Sequence, residues 1–252
     1  MGSIGQRHLR NLKKIKESKI IALRKSSHQT VIEDGKAFET ESLASYYGFI
    51  EYDSLEGALS KKPDIAFITN PSSLHIGTAI QCAKAGCHLF IEKPLATEKD
   101  RIIELEDVLK QSNLISMVGF QSRFHPCIEE THHILQNETY GKVVSANFNW
   151  STYLPDAHPY EDYRQGYAAR QDLGGGVTFS LSHELDLIQY FFDIPLSVYA
   201  IGGDSGGLDI DVDCMVAALF RCGKEPSTFP VQLHLSFLQG EDQREFTILL
   251  EG

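Results

Sequence analysis

Between Asp64 and Phe120 short apolar runs alternate with segments of helical periodicity, and this alternation constrains the fold more than any other feature of the chain. DIAFIT at 64–69 and CHLFIE at 87–92 read as strands, and SLHIGTAIQCAKAG between them reads as a helix closed by Gly86. ATEKDRIIELEDVLKQS at 96–112 reads as a further helix and NLISMVGF at 113–120 as a further strand. Upstream, Ile4, Leu9, Leu12 and Ile15 mark a helix within 2–17, followed by the apolar run KIIAL at 19–23. Strands that are near-continuous apolar runs, separated by helices, build a parallel sheet covered on both faces.

In such doubly wound sheets the turn from the first strand into the first helix is written G-x-G-x-x-G, and the helix amides hold a pyrophosphate. The chain opens MGSIGQRHLRNL, which supplies Gly2 and Gly5 but neither the first glycine nor the strand that feeds it. That strand is central in the usual order, so its loss is harder to tolerate than loss of an edge. The expectation is a chain shortened at its N-terminus, or one whose true start lies upstream.

After residue 120 the texture changes. A helix over Pro126–Gln136 leads into alternating segments at 142–153, 196–203, 211–223, 228–240 and 244–252, the pattern of an antiparallel sheet with one solvated face. The expected organisation is α/β: a Rossmann domain over 1–120, then an α+β domain over 121–252 with an open, mainly antiparallel sheet, incomplete at its C-terminus. A length of 252 residues accommodates two domains, and 42% hydrophobic with 23% charged residues is the balance of a soluble globular protein.

A formal charge of −11, with no long basic stripe against it, makes nucleic acid and anionic membrane poor candidate partners, and neither is expected. The five cysteines show no C-x-x-C pair and no zinc-ligand cadence, so they read as reduced thiols and no metal is expected. No apolar run approaches a membrane span and no signal-peptide pattern opens the chain, so the expected location is the cytoplasm.

Glu92-Lys93-Pro94 sits at the carboxyl end of an apolar strand, where open α/β sheets bind ligands, and a lysine there can hold an ammonium against a substrate oxygen. Gly174-Gly175-Gly176 precedes a helix carrying His183 and Asp186 three apart on one face, a general base with a carboxylate to orient it. Leu187 stands where a His-Glu-x-x-His metal motif needs its second histidine. The stretch 153–176 concentrates Tyr153, His158, Tyr160, Tyr163, Arg164, Tyr167 and Arg170, aromatic faces and guanidinium groups that suit a polyhydroxylated or phosphorylated ligand. Asp209, Asp211 and Asp213 read as the solvated face of a strand, and His132-His133 as exposed helix.

In order and interval, G-S-I-G-Q-R-H-L-R-N-L, N-P-S-S-L-H, E-K-P-L-A and G-G-G with a following S-H-E-L-D resemble the glucose-fructose oxidoreductase, inositol dehydrogenase and MocA family of NAD(P)-dependent oxidoreductases. The resemblance implies that Gly2, Ser3, Ile4 and Gly5 line the cofactor diphosphate and that Asn70, Pro71 and His75 border the nicotinamide, with Glu92 and Lys93 beside them. It implies that Lys93 polarises the reacting oxygen and His183 exchanges its proton while hydride moves between nicotinamide and a carbinol carbon. Ser180 stands where many members have aspartate, which implies a proton relay that is weaker, altered or taken over by Asp186. The texture H-P-Y-E-D-Y-R-x-x-Y-x-A-R-x-D-L-G-G-G is similar to members of surface-polysaccharide and nonulosonic-acid biosynthesis, which implies a sugar or nucleotide-sugar substrate bound by Tyr153, His158, Tyr163, Arg164, Arg170 and His183. Family sheets pack face to face, so a homo-oligomer is expected. The second strand ends in Arg24, Lys25 and Ser26, positive charge and hydroxyl that favour NADP over NAD. The competing expectation is a non-catalytic nucleotide- or sugar-binding homologue, or an inactive fragment.

Overall fold

The computed structural model describes all 252 residues except Ser26, Ser27, Asp34 and Ser205, and it divides into two compact units, Met1–Gly119 and Phe120–Gly252. The cofactor contact expected of Ser26 lies outside the described residues.

The first unit runs α1 (Ser3–Ile15), β1 (Ile21–Leu23), β2 (Thr30–Glu33), β3 (Lys36–Glu39), α2 (Leu43–Tyr47), β4 (Ile50–Tyr52), α3 (Leu55–Leu59), β5 (Ile65–Ile68), α4 (His75–Lys84), β6 (His88–Ile91), α5 (Ile102–Ser112) and β7 (Ser116–Val118). β5, β6 and β7 form a parallel sheet in that order, β1 and β4 form a parallel pair, and β2 and β3 form an antiparallel hairpin. One face of the three-stranded sheet buries Ile68, Leu89 and Ile91 against Ala79, Ile80 and Ala83 of α4 and Leu105 of α5. The other face departs from the expected cover: Ile65, Phe67 and Met117 are exposed, and the ring of His8 on α1 packs against Phe67 and Phe90. α5 starts at Ile102 rather than near residue 96, because between Ala96 and Ile102 no apolar residue offers a face to bury.

Gln6 fastens α1 into this unit. Its side-chain amide donates to the carbonyls of Met1 and Thr30 and accepts from Ile32 N–H and Tyr47 O–H, so all four of its hydrogen-bonding positions are used in a fully buried place. Gln6→Ala strands the Ile32 N–H and the Thr30 carbonyl, and at about 1–3 kcal/mol per buried orphan it is expected to cost roughly 3 kcal/mol, read as a lowered denaturation midpoint.

The second unit runs α6 (Pro126–Gln136), β8 (Val143–Tyr153), α7 (Leu154–Ala157), α8 (Val177–Ser180), α9 (His183–Phe192), β9 (Ser197–Gly203), β10 (Met215–Lys224), β11 (Ser227–Ser236) and β12 (Leu238–Leu250). Its sheet has the order β12-β8-β11-β10-β9, antiparallel throughout except for the parallel β8/β11 pair. Phe148, Val231, Leu233 and Leu235 face Leu187, Ile188, Phe191 and Phe192 of α9 in the core. Register places Thr247, Asn147, Gln232, Leu219 and Tyr199 in one row across the opposite face.

Two expectations change here. Asp209, Asp211 and Asp213 precede β10 rather than lying along it; Asp211 accepts from Gln171 N–H, and Asp213 accepts from both the N–H and the hydroxyl of Thr178. Asp211 and Asp213 thus anchor the glycine segment, a role invisible without the fold, while the Asp209 side chain stays exposed. His132 stacks on Tyr190 with 4.3 Å between ring centres.

All five cysteines are free. Burial raises the thiols of Cys82 and Cys222 to about 11 and raises Cys87 as well, whereas Cys127 at the start of α6 is exposed. Thiolate is the reactive form, so near pH 8 iodoacetamide is expected to label Cys127 well before the buried thiols, as peptide mass mapping would report.

Candidate functional site

In the first unit the N-terminal turn of α1 is open. Gly2 caps α1 with no side-chain hydrogen bond to the helix amides, and the first turn carries no acidic residue, so no carboxylate of the helix itself opposes an anion there. A Cβ on Gly2 would meet nothing within 4 Å, which leaves open space against the backbone. Gly5 has the complementary duty: a Cβ there would lie 3.0 Å from Thr69 Oγ1, just past β5, so the glycine lets the helix approach that chain end. Ser3 and Ile4 lie between them in the first helical turn.

The loops after β5 and β6 lie at the carboxyl ends of parallel strands, as expected. Asn70 Nδ2 donates to Thr78 Oγ1, while Asn70 Oδ1 is buried with no hydrogen-bond partner, an acceptor that an amide or hydroxyl donor of a cofactor would satisfy. Pro71 follows it and caps the 3-10 turn Ser72–Leu74. His75 is buried, and its two ring nitrogens lie 2.7 Å from the Pro94 carbonyl and 2.8 Å from the Asn70 carbonyl. Its polar atoms thus tie the two loops together. Glu92 accepts from the N–H of Lys93 and lies 2.6 Å from Nε2 of His8. The lysine is therefore held on one side through α1 and on the other through His75, and it is itself half-buried. His8 was missed in the sequence because nothing in its spacing relates it to residue 92.

Arg24 takes a different role from the one expected. Its side chain is 0% exposed, paired at 2.9 Å with Glu51 on β4 and bonded to the His28 carbonyl. Lys25 next to it is exposed.

In the second unit the sequence Gly174–Ser180 folds as a tight bend and a short helix, and a second helix begins at His183 instead of continuing the first. The His183 ring is buried, with Phe120 edge-on at 5.9 Å and Trp150 stacked at 6.1 Å. Both oxygens of Asp186 accept from Arg123, at 2.8 and 2.5 Å, and Asp186 holds that guanidinium firmly protonated. Glu184 accepts from Arg244 at 2.6 Å, and Arg244 lies 4.1 Å over the Trp150 ring. Asp186 thus positions an arginine, a task the sequence reading did not assign. Arg123 and Arg244 were both missed; R-F-x-P after β7 and a lone arginine on a strand carry no signal without their buried partners. Ser180 closes α8 and is buried.

The expected sugar contacts are more dispersed. Arg164 forks onto Asp162, and Arg170 onto Asp172, each two residues away. The acids are well exposed, 39% and 62%, so these pairs largely neutralise themselves at the surface. The Tyr163 hydroxyl accepts from Asp209 N–H, the His158 ring contacts Tyr160, and Tyr153 ends β8 opposite Leu238.

Comparison with known proteins bears on this arrangement. A family model described as an oxidoreductase family with NAD-binding Rossmann fold matches residues 1–120, and the GFO/IDH/MocA C-terminal domain matches 128–251. The 2,7-anhydro-N-acetylneuraminate hydratase of Escherichia coli (strain K12) is 24% identical over 169 residues, 65% of this chain and 43% of the relative. The chain spans about half the length, or less, of the curated relatives it matches. The WlbA dehydrogenase of Bordetella pertussis, crystallised with NADH and UDP-GlcNAcA, superposes with a TM-score of 0.82 at 19% identity, covering 99% of this chain and 73% of that one. The myo-inositol 2-dehydrogenase of Lactobacillus plantarum gives 0.82 at 20%, covering 99% and 72%. At these identities the structural likeness establishes the fold. Among the described residues no helix is long and apolar enough to cross a membrane. With both of its halves matched, the chain belongs to the Gfo/Idh/MocA oxidoreductase family, its first 120 residues being the NAD-binding Rossmann fold.

Proposed function

We propose that this protein transfers hydride between a nicotinamide cofactor and a carbinol carbon of a sugar or nucleotide sugar. The observation that carries the reading is the tethering of Lys93 at the carboxyl end of β6, between His8–Glu92 and His75–Pro94, beside the buried unsatisfied acceptor of Asn70. A bound nicotinamide supplies the hydride donor or acceptor. Gly2 and the amides of Ser3, Ile4 and Gly5 receive its diphosphate. Lys93 holds an ammonium against the reacting oxygen, lowering the cost of the charge that develops there, and His183 takes or returns the hydroxyl proton. Burial keeps the His183 imidazole away from bulk water. A WlbA dehydrogenase crystallised with NADH and UDP-GlcNAcA supports the sugar-nucleotide class.

The cofactor is NAD(H) rather than NADP(H). Arg24, the residue best suited by position to a 2′-phosphate, is sealed against Glu51, whose carboxylate would repel that phosphate. Nucleotide fluorescence on titration tests both statements: NADH is expected to bind at least about tenfold tighter than NADPH, a difference of about 1.4 kcal/mol. Tighter NADPH binding would overturn the cofactor choice, and failure of both to bind would overturn the function.

The chain also associates with itself through the open sheet face, where Leu219, Tyr199 and Ile201 are exposed beside the polar Asn147 and Gln232. Tyr199→Lys is expected to shift the sedimentation profile towards a smaller species.

A further inference from the structure

Among the described residues the two arginines beside the first turn of α9 differ from the other surface ion pairs. Arg123 and Arg244 each have a side chain 39% exposed, whereas their carboxylate partners, Asp186 and Glu184, are only 4% exposed. In the Arg164–Asp162 and Arg170–Asp172 pairs the acid is exposed as well and competes with any incoming anion. Buried acids do the opposite: they hold a guanidinium in one orientation from behind and leave its outer edge to solvent.

The hydrogen bonds show which edge remains. Arg123 uses Nε and Nη2 on Asp186, and Arg244 uses Nε on Glu184 and Nη2 on Ser122 Oγ. Nη1 of each has no hydrogen bond to the described residues. Arg123 is further fixed against the Tyr190 ring at 4.9 Å and Phe120 at 6.0 Å, and Arg244 against Trp150 at 4.1 Å. Phe120 and Trp150 are the rings that touch His183, so each guanidinium stands one aromatic ring away from that imidazole. Each pair is formally neutral, but with the acid buried and the arginine half-exposed the solvent-facing edge on either side of the histidine is the cationic one.

We infer that Arg123 and Arg244 bind an oxyanion of the substrate, so that the sugar taken by this protein is an acid or a phosphate ester rather than a neutral sugar. The inference rests on the proposed function only in taking His183 as the proton-exchanging group. Buried acids place the arginines, the aromatic rings fix their planes, and the free Nη1 donors offer the charge-assisted bonds that a carboxylate or phosphoryl group accepts.

Equilibrium binding of D-glucuronate, glucose 6-phosphate and D-glucose to the NADH-loaded full chain, by calorimetry, tests this without turnover. One or both anions are expected to bind at least about tenfold tighter than glucose, with an advantage that shrinks as salt rises; which anion leads identifies the carboxylate or phosphoryl source. Arg244→Lys and Arg123→Lys keep a cation against the buried acid but lose the planar fork, so each is expected to remove most of the advantage while NADH affinity and the thermal midpoint stay near wild type. Should a lysine variant fail to fold, the salt dependence and the other variant still decide. Equal affinity for all three sugars, absence of anion binding, or an advantage that survives both lysine substitutions overturns the inference. Arginine-dependent anion binding without hydride transfer to any sugar would instead overturn the activity and leave the binding site standing.

Discussion

Lys93→Ala is expected to lower kcat by about 10²–10⁴-fold, the range for removing a positioned acid–base group, while NADH affinity stays within a few-fold of wild type. The split follows from the position of the lysine. The proposed cofactor end comprises the Gly2–Gly5 turn and Asn70, whereas the lysine follows β6 and its backbone is held by Glu92 and, through Pro94, by His75. Truncating the side chain removes the ammonium and leaves those tethers in place. Steady-state turnover alongside nucleotide fluorescence reads both quantities. An alanine variant that turns over at the wild-type rate would show that the reacting oxygen is polarised elsewhere. Lys93→Arg keeps the charge on a wider, planar head and is expected to recover only a small part of the loss.

Gly175→Ala is expected to destabilise the protein by more than about 4 kcal/mol, the exceptional end of single-substitution effects. A Cβ at Gly175 would sit 2.3 Å from the Tyr167 carbonyl oxygen and 2.7 Å from that of Ala168, and backbone cannot swing aside as a side chain can. Gly176→Ala faces two obstacles, a φ of +106° and the Asp213 carboxylate 2.0 Å away. The segment is locked by Gly175 N–H to Arg170 O, Gly176 N–H to Ala168 O and Val177 N–H to Asp213 O. Gly240→Ala is the control: nothing lies within 4 Å of its Cβ, so a change within about 0.5 kcal/mol is expected. Denaturant midpoints compare the three, and a Gly175→Ala protein as stable as the control would refute the close approach. The segment leads into α9, so a folded but loosened variant would also lose activity through His183.

The architecture was legible because its signals are local. Apolar runs at 64–69 and 87–92 and the glycine at 86 needed no tertiary information, and β5, β6 and the end of α4 lie where they indicate. The candidate catalytic side chains were legible for a similar reason: Glu92-Lys93-Pro94 and Gly174–His183 are contiguous motifs. What stayed hidden depends on partners far apart in the chain. Arg24 reads as solvent-facing charge until Glu51 is seen across the β1/β4 pair, and Asp213 reads as a solvated residue until Thr178 is seen beside it. His8 with Glu92, and Arg123 and Arg244 with the two acids of α9, are pairings of the same kind. A sequence reports composition and period along one dimension, and a buried ion pair leaves no trace in either.

Deuterium transfer tests the central claim most directly. NADH labelled at nicotinamide C4 is incubated with the full chain and a panel of oxidised sugars and sugar nucleotides, and the recovered sugars are weighed by mass spectrometry. The account predicts one deuterium bonded to the reduced carbon of at least one sugar, lost in Lys93→Ala. Saturable NADH binding with no label leaving the cofactor for any sugar in the panel would contradict it.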